Sequence, residues 1–185
     1  MTTRIEKDFN ITSAVHFSDK FLLNYYNIKI SLLVETDNVR EQNIAMERLE
    51  YFLNEVISHG IFIDSNLQDV IEKYSKAGIR IISLPEEPYD QIIGMIILLK
   101  CNSIMENRLI ITDLSISSKL SDNVRFCLVS EVAETIFAGE YWWNNIGLNT
   151  CDIEKSNSKK VVKLFDNEWT EIGLTWKDKK TAQTS

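Results

Sequence analysis

Ile28-Lys29-Ile30-Ser31-Leu32-Leu33-Val34-Glu35, followed by Thr36-Asp37-Asn38-Val39-Arg40-Glu41, is the stretch on which the fold turns. Ile28, Ile30, Leu32 and Val34 alternate with Lys29 and Ser31, the period-two pattern of a strand with a buried face. Leu33 makes the end apolar on both faces, which predicts an inner strand. Asn38 with Glu41 three residues later is a capping-box-like helix start, where an amide side chain and a carboxylate satisfy first-turn N–H groups. Ala45, Leu49, Phe52, Leu53, Val56 and Ile57 then recur at helical spacing, and Gly60 stands where the helix should end.

The alternation continues outward from this window. Residues 61–63 form a short apolar strand, and Ser65 with Gln68 opens a second helix whose inward face is Leu67, Val70, Ile71 and Tyr74, closed by Gly78. Residues 79–84 read as a strand stopped by Pro85, which cannot donate to a sheet ladder. Pro88 suits the first turn of a third helix running to about Asn107, with Glu86, Glu87 and Asp90 placed to meet its dipole. The middle of that segment is apolar on every side, so length and the proline decide for a buried helix over a buried strand. Before residue 24 the pattern is mixed, and Phe17, Phe21, Leu22 and Leu23 suggest a short helical turn. After Arg108 only strands are predicted: 109–113 with 124–129 as an antiparallel pair, and 161–165 with 170–176 as a hairpin across Asp166-Asn167. The sum is an α/β chain of the α+β kind, with a central mixed sheet, about three helices and antiparallel hairpins in the C-terminal half.

Composition bounds the rest. The chain has 185 residues, 44% hydrophobic and 25% charged, the balance of a folded protein and enough for one substantial core. A single globular domain over 1–180 is expected, with 181–185 as a disordered tail. A net charge of −7 and a pI near 4.9 argue against a protein devoted to coating nucleic acid. Lys155, Lys159, Lys160, Lys177, Lys179 and Lys180 then read as solubilising charge around a terminal hairpin. Cys101, Cys127 and Cys151 are odd in number and widely spaced, so they read as reduced thiols rather than a disulfide framework. The charged N-terminus has no apolar run behind it, and the apolar stretch 92–99 is far short of the roughly 20 residues of a membrane span. These features predict a cytoplasmic protein with no membrane segment.

Six dispersed glycines make no phosphate loop, and His16 and His59 are the only imidazoles, too few for an ordinary zinc site. His59 reads as a cation near a helix C-terminus, and Cys101 and Cys127 as small buried hydrophobes. If the first three strands run parallel, their C-terminal ends share the edge where ligands bind in open α/β sheets. Glu35 and Asp37, Asp64, and Glu86 and Glu87 would then converge. Glu35 and Asp64 could hold Mg²⁺ or Mn²⁺, with Asp37 or Glu86 as a further ligand or general base for hydrolysis of phosphate esters. Each of these acids also sits just ahead of a helix, where the dipole favours a carboxylate with no metal at all. A second feature is Tyr141-Trp142-Trp143, preceded by Phe137 and followed by Asn144-Asn145. Adjacent tryptophans cannot point the same way on a strand, so the run reads either as a partner-binding anchor or as filling for the end of the core.

Asn43-Ile44-Ala45 with Glu47-Arg48, and the block from Leu84 to Gln91, resemble small uncharacterised proteins of T4-like phages. That resemblance implies an accessory protein acting in a host cytoplasm and no particular activity. The expectation from the residues is a non-enzymatic binding or self-associating protein without a cofactor, its partner a protein or a second copy; the alternative is the Mg²⁺- or Mn²⁺-dependent hydrolase.

Overall fold

The computed structural model of the chain describes residues 3–151. Its backbone begins with a long hairpin in place of the expected helical turn: β1 (Arg4–Phe17) pairs with β2 (Lys20–Val34) along the whole length of both strands. Ser18 and Asp19 join them with φ of 47° and 60°, the left-handed pair that a two-residue hairpin loop requires. Neither residue is glycine, so the usual sequence signal for such a turn is missing.

From Asn38 to about residue 107 the elements fall close to where the periodicity puts them; beyond Arg108, where only strands are expected, the chain also forms a short helix over Ser130–Ile136. α1 (Val39–Tyr51) continues through a wider turn (Phe52–Val56) and a tighter one (Ile57–His59) into β3 (Gly60–Asp64). α2 (Gln68–Lys76), β4 (Arg80–Leu84), α3 (Asp90–Met105), β5 (Leu109–Ser118), β6 (Arg125–Val129) and α4 (Ser130–Ile136) follow. The N-cap of α1 is Asn38, whose side chain accepts from the Arg40 N–H at 3.0 Å. Glu41 does not complete a capping box: Thr36 Oγ1 accepts the Asn38 N–H, and Glu41 pairs with Arg108 instead. The expected hairpin over 161–165 and 170–176 and the tail lie outside the described residues.

The six strands form one mixed sheet in the order β4-β3-β1-β2-β5-β6. β1, β3, β4 and β5 run one way and β2 and β6 the other. The strand predicted over 28–35 is therefore the antiparallel member, not the first of three parallel strands. One face of the sheet, carrying Phe9, Ile11, Val15, Tyr26, Ile28, Ile30 and Leu32, packs under α1 and α3 in the main core. α3 is apolar all round because it is enclosed all round, by the sheet beneath and by α1, α4 and the segment after α4. It lies so close that a side chain at Gly94 would put its Cβ 2.5 Å from Leu128 and 2.8 Å from Ile116. On the other face α2 covers a smaller core of Ala14, Ile61, Ile63, Ile71 and Ile81, leaving β2, β5 and β6 open.

Two buried polar contacts tie the ends of these elements together. Asp90, in the first turn of α3, accepts from Ser118 Oγ at 3.0 Å and Ser121 Oγ at 2.6 Å. Asn24 Oδ1 accepts the N–H groups of Tyr25 and Leu120 at 2.9 and 3.2 Å, fixing the β5–β6 turn against β2. Burial near Asp90 pushes the Tyr26 phenol well above its ordinary range, so it stays protonated.

Candidate binding site

Lys100 organises the region around the aromatic run. It lies in the third turn of α3 with no exposed surface, and a buried ammonium needs acceptors on all sides. It donates to the Trp142 carbonyl at 2.7 Å, the Asn145 carbonyl at 2.8 Å and Asn145 Oδ1 at 3.1 Å, with the Trp142 ring 5.5 Å away. Ser103 Oγ adds a bond to the Trp143 carbonyl at 3.0 Å. These contacts hold residues 137–150 as a strap across α3, ending beside the sheet edge where Thr150 accepts from the Ser83 N–H at 2.8 Å.

Trp142 and Trp143 are 1% and 3% exposed, so they fill the core instead of offering a binding anchor. The Trp142 indole N–H donates to the Ser83 carbonyl at 2.9 Å, and the Trp143 ring packs edge-on against Phe137. Of the three expected partner-binding aromatics only Tyr141 reaches solvent, stacked on Trp143 with ring centroids 4.5 Å apart. Beside it α4 turns Ala133 inward and leaves Val132 and Ile136 outward one turn apart, an apolar stripe on a short helix. Ile146 on the strap is exposed as well. Sequence reading missed this stripe because residues 130–136 show no strong periodicity, and only the side chosen by Ala133 and Phe137 defines an outside.

The expected carboxylate edge does not assemble. Leu33 lies beside Arg4 whereas Ile61 lies beside Ala14, so Glu35 and Asp37 sit at one end of the sheet and Asp64 at the other. The separation is roughly 45 Å at about 3.3 Å per residue. Glu35 and Asp64 therefore cannot share a metal ion. Asp64 and Glu86 do lie at one edge, since Asp64 pairs with Leu84, but the Asp64 carboxylate already accepts the Asn66 N–H and Nδ2 at 2.8 Å, an ordinary turn ahead of α2. Among the described residues no group of three or more His, Cys, Asp or Glu side chains is placed to hold a metal. His59 Nδ1 faces the Glu55 carbonyl at 3.2 Å, at the end of the α1 segment as expected. Cys101 is buried, and burial pushes its thiol far up. Cys127 departs from expectation: it is exposed, because β6 is an edge strand whose odd-numbered residues face the open side.

No protein-family model matches the chain, and no curated protein matches it. Among solved structures the chain is similar to an uncharacterized protein from Wolinella succinogenes, with a TM-score of 0.50 and 9% identity over 70% of this chain and 98% of that one. It is also similar to a catalytic-residue mutant of 6-pyruvoyltetrahydropterin synthase from Plasmodium vivax, with a TM-score of 0.47 and 13% identity over 69% and 97% of the two chains. The first likeness concerns the arrangement of strands and helices alone, and the second carries no argument about this chain.

Proposed function

We propose that this chain is a non-enzymatic binding protein of the cytoplasm that engages a protein surface, in the simplest case a second copy of itself, through the outward stripe of α4 and the adjoining strap. The observation that supports this reading is the exposure of Val132 (51%) and Ile136 (57%) on one side of a seven-residue helix. Large apolar groups grouped on one helix side mark interaction surfaces more often than scattered ones do. Tyr141 adds a ring already held by Trp143, so it loses little freedom on binding. Free thiols at Cys101, Cys127 and Cys151 suit a reducing compartment. Among the described residues no helix is long and apolar enough to cross a membrane.

Light scattering on the full chain at tens of micromolar, beside a Val132→Glu/Ile136→Glu variant, tests the proposal. A wild-type mass above the monomer that falls to the monomer in the variant is the expected result. A strictly monomeric wild type that retains no lysate protein lost by the variant sinks it.

A further inference from the structure

A solvated sheet face ordinarily carries polar side chains. On the face that α2 leaves open, the first half of β2 instead carries Phe21, Leu23 and Tyr25 at alternate positions, 54%, 57% and 51% exposed. The register sets their neighbours: His16 beside Phe21, Thr12 beside Tyr25, and Asn10, Ser117 and Arg125 in the row of Asn27. Lys119 holds its ammonium 5.6 Å from the Tyr25 ring. Tyr74 of α2 bounds the far end, 6.1 Å from the His16 ring and 6.3 Å from Phe21. Among the described residues, the rows from His16 to Asn27 hold rings, amides, hydroxyls and the cations Lys119 and Arg125, and no carboxylate. One row further the strands carry Asp8, at 3.5 Å from Lys29. A second observation points the same way: His16 is 6% exposed, and its Nδ1 has no hydrogen-bond partner.

We propose that this face binds single-stranded nucleic acid. Bases stack on Phe21 and Tyr25, Lys119 and Arg125 take phosphates, and Asn10, Asn27 and Ser117 offer hydrogen bonds to base edges. Stacking on aromatic side chains needs bases whose faces are free, which a single strand provides and a duplex does not. Phe21 and Tyr25 are about 13 Å apart along β2, at about 3.3 Å per residue, so the ligand is an extended strand rather than one base. The whole-chain charge of −7 opposes this little, because at physiological salt charges beyond about 8 Å are largely screened and the local cations govern.

The test is fluorescence anisotropy of a labelled oligothymidylate of about 20 nucleotides with the full chain, at low salt and then at roughly 200 mM. Binding at low salt that weakens with salt is expected. Phe21→Ala and Tyr25→Ala should each weaken it about fivefold or more, and Arg125→Ser should lower the salt slope by about 0.7. The α4 variant Val132→Glu/Ile136→Glu should bind as wild type does, which separates this surface from the protein-binding one. No binding at low salt, or binding that neither ring substitution weakens, overturns the proposal. So does a Tyr25→Ala chain whose only change is a smaller assembly, since the face would then belong to a second copy.

Discussion

Lys100 shows how one side chain can set the course of a segment forty residues away. Its three donors are the fixed points over which Trp142 to Asn145 are laid, and the strap's only regular hydrogen bonding of its own, among the described residues, is a single tight turn over Trp142–Asn144. Lys100→Met keeps much of the stem's volume but leaves the carbonyls of Trp142 and Asn145 without their buried donor. At about 1–3 kcal/mol for an unsatisfied buried group, the loss should be about 2–3 kcal/mol, read as a lower urea midpoint. A midpoint within error of wild type would mean that water replaces the ammonium. A lysine among Ile97, Leu98, Leu99 and Cys101 gives no hint of this role in sequence, because its meaning depends on acceptors from another part of the chain.

At the scale of elements, helices and short inner strands were legible, and the N-terminal hairpin was not. α1 announces itself through Asn38 and the spacing from Ala45 to Ile57, both local. β1 does not, because Arg4 to Asn10 holds four charged groups and only two apolar ones, Ile5 and Phe9, and its turn is Ser18-Asp19 instead of an Asn-Gly pair. Both turn residues bear the left-handed cost of roughly 1–2 kcal/mol for an L side chain. Replacing them by Asn-Gly should therefore stabilise the protein by about 1 kcal/mol, seen as a higher melting temperature. A fall would show that the Ser18 or Asp19 side chain contributes a contact that outweighs the strain.

Across the whole molecule, one ionic network joins α1, the end of α3 and the start of β5. Arg48 and Arg108 both pair with Glu106, Arg108 also reaches Glu41 at 2.6 Å, and Arg48 donates to the Ile104 carbonyl at 3.2 Å. Burial pulls the Glu106 carboxyl upward, but hydrogen bonds and charge from Arg108 and Arg48 outweigh it and hold the group below its ordinary value. A carboxyl lowered in the folded state stabilises the protein above its unfolded pKa of about 4.3, and this contribution is lost as pH falls through the folded value. Stability should thus decline on acidification below about pH 4.5, and Glu106→Gln should flatten that part of the curve. The effect should be about 1 kcal/mol, since the pair is partly open to solvent. An unchanged acid limb in Glu106→Gln would assign the decline to other carboxylates.

The sequence by itself determined what local physics governs: the class of fold, α1 to α3 and the strands beside them, and the antiparallel pairing of β5 with β6. Periodicity and helix-end chemistry act over a few residues and can be read without knowing what lies opposite. Tertiary structure alone decided the direction of β2, which depends on the partner to its left, and with it the separation of Glu35 from Asp64. It also decided that Trp142 and Trp143 lie inside and that Cys127, Phe21 and Tyr25 lie outside. Hydrophobicity along the chain measures a side chain's preference for burial, but whether a face is covered depends on where another element ends. Here α2 stops short of β2, and the uncovered rings on that face are the consequence.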